Sequence, residues 1–193
     1  EESQLVFIDY QEKLMPVIDQ GQQIICNAHS LARLAKALHV PVVATEQTPD
    51  KLGQTVEPLK GLSGKILSKT HFSAVADGLS DLLRAPAKSG PGNARSLPKH
   101  LRKAEEVERQ TIVIAGCETH VCLLQTALEL IEEEFDVWVV TDACGSRTVL
   151  NRDAAFDRLA AAGAELVTTE MVLFEWLKDS KHPLFKDALT WVK

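Results

Sequence analysis

No apolar run in the 193 residues approaches the roughly 20 that a membrane span requires. Nor is there an excess of positive charge. Twenty-seven acids against 21 bases leave a net charge of −6, whereas gripping a polyanion or an anionic membrane takes clustered Lys and Arg. No nucleic-acid or membrane partner is therefore expected. The four cysteines form no CxxC pair, so they are expected to stay reduced in a cytoplasmic protein. GxGxxG, P-loop and HExxH patterns are all missing, which removes the familiar phosphate cradles and the helical zinc site. No cofactor is implied. No basic n-region precedes Leu5-Val6-Phe7-Ile8, so a signal peptide is not expected. Position 1 is Glu rather than Met, which leaves the natural start open.

What is present is an ordinary globular composition, 45% apolar and 25% charged. A chain of this length buries roughly 70% of its unfolded surface and needs no disulfide or structural metal. We expect one domain over residues 1–193, with no internal repeat.

Short apolar runs alternate with helical patterns. Leu5-Val6-Phe7-Ile8, Val40 to Ala44, Lys65 to Ser68, Thr111 to Ala115, Val137 to Thr141 and Glu165 to Thr168 read as six strands. Ile24, Ala28, Leu31, Ala35 and Leu38 mark the inner face of a helix, and Val121, Leu124, Leu128 and Ile131 another. Ser73 is a candidate cap for a helix reaching Arg84, and two helices close the chain. Residues 86–110 hold the Pro- and Gly-rich stretch, read as a loop or short excursion running into a polar helix. Nearly continuous apolar strands separated by helices predict a three-layer α/β/α sandwich on a six-stranded parallel sheet, Rossmann-like in plan. Ligands bind such sheets beyond the carboxyl ends of the strands.

Those ends carry an acid, a base and a thiol. Asp9 ends the first strand, Lys69 the third, and Cys122 opens a helix behind Gly116. Each has an ordinary alternative as a turn residue, a solvated lysine or a small core side chain. Their common placement points to chemistry. Helix-terminal amides and a nearby lysine favour a thiolate at Cys122, whereas an ionised Asp9 favours the resting thiol, so a reactive thiol is expected with no pKa assigned. Cys26 reads as core filler on an apolar helix, and Cys144 as core or site wall. Gln11, Glu46, Gln47, Phe72 and His120 flank the same strand ends and are candidates for touching substrate.

The stretches Asp9-Tyr10-Gln11, Lys69-Thr70-His71-Phe72-Ser73 and Gly116-Cys117-Glu118-Thr119-His120-Val121-Cys122 resemble the isochorismatase-like cysteine hydrolases, the superfamily that includes nicotinamidases. Thr45 to Pro49, Asp142 to Arg147 and His182 to Lys186 resemble its isochorismatase-domain subgroup. The resemblance implies Cys122 as nucleophile, Asp9 as general base and Lys69 as the orienting cation. It also implies a cis peptide between Cys117 and Glu118 and an oxyanion hole made of the Glu118 and Cys122 amides. The implied substrate is a small-molecule amide, and the implied assembly a dimer or larger homo-oligomer. Phe174, Trp176, Leu177, Leu184, Phe185 and Trp191 are candidates for that contact, or simply cover the sheet.

Two departures matter. Nicotinamidases carry an Asp-x-His pair that helps bind a metal, where this chain reads Thr45-Glu46-Gln47, so no catalytic metal is expected. Isochorismate hydrolases cleave a vinyl ether and need no thiol, so Cys122 favours an amide. The alternatives are that vinyl-ether reaction, a scaffold retaining the site, and a thiol redox protein, which would need cysteine Cα atoms within about 7 Å.

Overall fold

Six short strands cannot satisfy their backbone N–H and C=O groups alone, and they do so by pairing into one sheet. The computed structural model describes residues 2–84 and 110–191. The strands are β1 (Ser3–Ile8), β2 (Val42–Gln47), β3 (Lys65–Lys69), β4 (Thr111–Gly116), β5 (Asp136–Val140) and β6 (Glu165–Val167). They run parallel throughout, in the order β3-β2-β1-β4-β5-β6. The helices are α1 (Gly21–Ala37), α2 (Pro49–Leu52), α3 (Leu79–Arg84), α4 (Leu124–Glu132), α5 (Val149–Ala161), α6 (Thr169–Leu177) and α7 (Phe185–Trp191). α1 packs with α6 and α7, and α4 with α5.

The first three strands wind outward from β1 in one direction and the last three outward from β4 in the other. The order therefore reverses between β1 and β4, which opens a crevice beyond their carboxyl ends. Register is fixed by six matched pairs from Ser3↔Thr111 to Ile8↔Gly116. Gly116 makes the closeness possible. Its φ is +145°, and a Cβ there would sit 2.1 Å from the Ile8 carbonyl oxygen.

Four details differ from the sequence reading. The helix expected from Ser73 to Arg84 is a 3₁₀ turn, Val75–Asp77, and then α3, separated by Gly78 at φ +97°. Ser73 serves the turn instead, accepting from the Val75 amide at 3.2 Å. The residues before α4 form a π turn, Thr119–Leu123. The fully buried positions from the end of that turn onward are Leu123, Thr126, Ala127 and Leu130, while Val121, Leu128 and Ile131 are half-buried. The expected face is thus offset by one residue, because α4 is apolar on two sides. Cys26 is exposed rather than core filler. It lies two residues from Ile24 and two from Ala28, about 200° around the helix from each at 3.6 residues per turn. The expected loop over residues 86–109, and the polar helix it runs into, lie outside the described residues.

No helix among the described residues is long and apolar enough to cross a membrane.

Candidate active site

Asp9 leaves β1 directly into the crevice. Its φ of 50° lies in the left-handed region that Asp tolerates better than most residues, and the Gln11 amide donates back to its carbonyl at 2.8 Å. The side chain is completely buried. Oδ1 accepts from the Thr45 hydroxyl at 2.7 Å. Oδ2 lies 2.8 Å from Lys69 Nζ, itself fully buried.

Lys69 ends the edge strand β3, and its own loop wraps the ammonium. Nζ donates to Gln47 Oε1 at 2.6 Å, to the Phe72 carbonyl at 3.1 Å and to the His71 carbonyl at 3.3 Å. An ammonium has three protons, and Asp9 Oδ2 at 2.8 Å is the fourth oxygen around it, so Asp9 and Lys69 form a buried ion pair at hydrogen-bonding distance.

Cys122 sits inside the π turn, where the Val121 and Leu123 amides both donate to the Glu118 carbonyl. The sequence reading placed it at the start of a regular helix. The observed turn precedes α4 and is one residue wider. The Cys117–Glu118 peptide ahead of it is cis. Burial pushes the Cys122 thiol up, the Asp9 charge pushes it further, and Lys69 only partly opposes them, so its pKa reaches about 12. Cys122 is thus a neutral thiol at rest, the form that an ionised Asp9 favours. Its hydrogen-bonding influence from both Asp9 and Lys69, and a Gln47 Oε1 at 3.9 Å, bring the acid, the base and the thiol together.

The flanking candidates divide. Gln47 reaches both Lys69 and Cys122. Gln11 is fully buried, and its amide clamps the Gln47 backbone and the Gly53 carbonyl, with bonds of 2.8, 3.1 and 2.6 Å. Glu46 accepts the Thr55 amide and hydroxyl at 2.7 and 2.8 Å. Both hold loops in place with the groups expected to reach substrate. Phe72 is 55% exposed at the rim. His120 Nδ1 lies 2.9 Å from Ser146 Oγ.

Several residues escaped sequence reasoning. Arg147 donates through its backbone and Nε to the Glu118 carboxylate at 3.0–3.1 Å. Together with a Thr119 amide bond to Gly145, this stitches the cis-peptide loop to the loop after β5. Thr45 and Thr126 are ordinary strand and helix residues by pattern, and only their partners distinguish them. Cys144 is buried, and burial first raises its pKa to about 12.

Among the described residues, no group of three or more His, Cys, Asp or Glu is arranged to hold a metal ion. A cavity of about 410 Å³ is lined by Glu12, Met15, Ile18 and Val56 among others. A second, of about 520 Å³, lies between α1 and Trp191. Neither is lined by Asp9, Lys69 or Cys122.

Residues 3–171 match the model of the isochorismatase domain. The chain belongs to the isochorismatase family. Mouse isochorismatase domain-containing protein 2A is 35% identical over 193 residues, covering 100% of this chain and 84% of that protein. The MAR1 ribonuclease of Caenorhabditis elegans superposes with a TM-score of 0.82 at 32% identity, over 99% of this chain and 89% of its own. YcaC of Pseudomonas aeruginosa, solved with hexane-2,5-diol and covalent acrylamide, gives 0.80 at 26% identity, with 98% and 88% covered. YcaC of Escherichia coli, described as an octameric hydrolase of unknown specificity, gives 0.78 at 26%, with 98% and 86% covered. The six-stranded parallel sheet is the fold these isochorismatase-family neighbours share. The chain therefore has an isochorismatase-family hydrolase fold.

Proposed function

We propose that this chain hydrolyses a small-molecule amide through a thioester on Cys122. The observation that carries the reading is the Asp9 carboxylate, fully buried, ion-paired to Lys69 at 2.8 Å and hydrogen-bonded to the Cys122 thiol. A thiol with a pKa of about 12 needs a base to become a nucleophile at neutral pH.

Asp9 takes the thiol proton as Cys122 Sγ bonds to the carbonyl carbon. The carbonyl oxygen becomes an oxyanion facing the Glu118 and Cys122 amides. The C–N bond breaks as Asp9 returns the proton to the leaving nitrogen. Water then attacks the thioester, giving one proton to Asp9, and the C–S bond breaks. Sγ recovers that proton, leaving acid, amine and free thiol. Lys69 balances the charge of Asp9 between steps and has no proton role. No metal or organic cofactor enters the scheme.

The covalent acrylamide of Pseudomonas YcaC supports a reactive nucleophile on this fold, and acrylamide is a suitable probe here. The MAR1 name supports a competing reading, RNA cleavage. The charge of −6 and a buried triad favour a small substrate over a polyanion. A homo-oligomer is also proposed, on the octameric Escherichia relative and exposed Phe174, Met171 and Leu150.

The test is amine or ammonia release from a panel of amides, with vinyl ethers and RNA alongside. Cys122→Ala is expected to reduce amide turnover by about 10³-fold or more. A vinyl ether cleaved equally well by Cys122→Ala, or RNA cleaved with no amide accepted, would overturn the reading.

A further inference from the structure

Lys69 and Cys122 come from opposite halves of the sheet; Gln47 reaches both side chains, but neither strand pairing nor the ion pair ties the backbone of the Lys69 loop to that of the Cys122 turn. The connection is made on the far side of both. Thr126, fully buried on α4, donates its hydroxyl proton to the Cys122 carbonyl at 2.7 Å. The same oxygen accepts the Ala74 amide at 3.0 Å. Ala74 is also fully buried, and it lies two residues after Phe72, whose carbonyl accepts from Lys69 Nζ.

A hydroxyl has one proton and two lone pairs. With the proton committed to Cys122, the lone pairs face Ala74, so one side chain fixes both backbones at once. Ser73 adds a second fastening, donating to Glu129 Oε2 at 2.6 Å. The carbonyl collar that holds the Lys69 ammonium is thereby anchored to the helix that follows the nucleophile.

We propose that Thr126 is a positioning residue that sets the placement of the Lys69 collar relative to the Cys122 turn, and with it the reactivity of the thiol. The inference rests on the reading of Cys122 as nucleophile. A side chain without the hydroxyl leaves the Ala74 N–H and a Cys122 carbonyl bond unmet in a dry interior, and the loop moves to find other partners. Lys69 then shifts from the thiol, which loses the one positive charge that opposes Asp9.

The experiment measures the second-order rate of acrylamide addition to Cys122 by peptide mapping, in the native protein between pH 7 and 9. The variants are Thr126→Val, Thr126→Ser and Leu130→Ala. Leu130 is a buried residue of the same helix and supplies a control for lost stability. Thr126→Val is expected to slow addition about tenfold, with the whole rate–pH curve moved to higher pH, while Thr126→Ser stays within about twofold of the parent. Leu130→Ala is expected to lower the melting temperature without moving the curve. Equal rates for Thr126→Val and the parent would overturn the proposal, as would a loss in Leu130→Ala matching that in Thr126→Val. If Thr126→Val does not fold, Thr126→Ser decides, since a loss above about fivefold there assigns the effect to the methyl group. Absence of a Cys122 adduct in the parent protein would overturn the nucleophile reading and this one together. An adduct that forms equally in every variant would overturn this one alone.

Discussion

β1 and β4 lie side by side in the middle of the sheet, and every residue from Gln4 to Ile8 and from Ile112 to Gly116 is buried. β3 lies at an edge, with Lys65, Ile66 and Ser68 exposed and only Lys69 buried. Both regions deliver a catalytic candidate to the same point. In the centre, backbone register places Asp9 and the Cys117 turn, because six matched residue pairs leave the strand ends no freedom to slide. At the edge there is a neighbour on one side only, and placement falls to side chains and loop carbonyls. Lys69 is held by Gln47, His71 and Phe72, and their loop is closed in turn by Asp77. Asp77 Oδ2 accepts the Thr70 and His71 amides at 3.1 and 3.0 Å, and Oδ1 lies 3.2 Å from His71 Nδ1. The same chemical task is thus met by register in one place and by a polar collar in the other.

Where the two regions meet, the expected effects are largest. Asp9→Asn or Lys69→Met alone strands a buried charge and is expected to cost roughly 3–5 kcal/mol. The double variant is expected to cost less than the sum of the two. Urea denaturation of all four proteins checks this, and a single variant costing under about 1 kcal/mol would show that water reaches the pair.

Breaking the central side alone calls for Gly116→Ala. The added carbon meets the Ile8 carbonyl at 2.1 Å, so strand β4 must move away from β1. A loss of about 3 kcal/mol is expected in the same assay.

The edge side is sharpened by Asp77→Asn. Burial pushes the Asp77 carboxyl up, but the backbone and side-chain bonds of His71, the Thr70 amide and the His71 charge outweigh it and hold the pKa below 3.8. A depressed acid contributes stability above its unfolded value and loses it as pH falls through the folded one. The parent is therefore expected to gain about 1 kcal/mol over Asp77→Asn at neutral pH, a difference that starts to shrink as pH falls to 3.8 and is gone only below the lower pKa of the folded state. Thermal melts across pH 3 to 7 read it. A constant difference across that range would mean Asp77 acts through packing alone.

The smallest effect belongs to Cys26, far from both. Exposed on α1, it is expected to take iodoacetamide before buried Cys117 and Cys144, and Cys26→Ser is expected to change stability by less than about 0.5 kcal/mol. Peptide mapping that found Cys144 labelled first would show the loop after β5 opening in solution.

Much of the frame was legible along the chain. Apolar runs such as Leu5–Ile8 and Ile112–Ala115 carry the strand signal in consecutive residues, because a strand buried on both faces needs every side chain apolar. Asp9, Lys69 and Cys122 were legible through motifs with fixed spacing. Cys26 differs from its expectation because an apolar helix also has an outer face, and Cys26 lies on it. The loop-holding bonds of Gln11 and Glu46 were not legible, for a related reason. A polar side chain at a strand end looks the same in sequence whether it faces a substrate or a loop backbone, and only the positions of the Gln47, Gly53 and Thr55 groups tell which.

The amino-acid sequence by itself determined the parallel sheet, the family and the three side chains that meet at the strand ends, since periodicity and motif spacing are local properties of the chain. The tertiary structure alone decided the protonation of Cys122, the buried Asp9–Lys69 ion pair beside it and the coupling through Thr126. Those depend on burial and on partners 36 to 75 residues away along the chain, where desolvation and single ångströms set the energy of a charge.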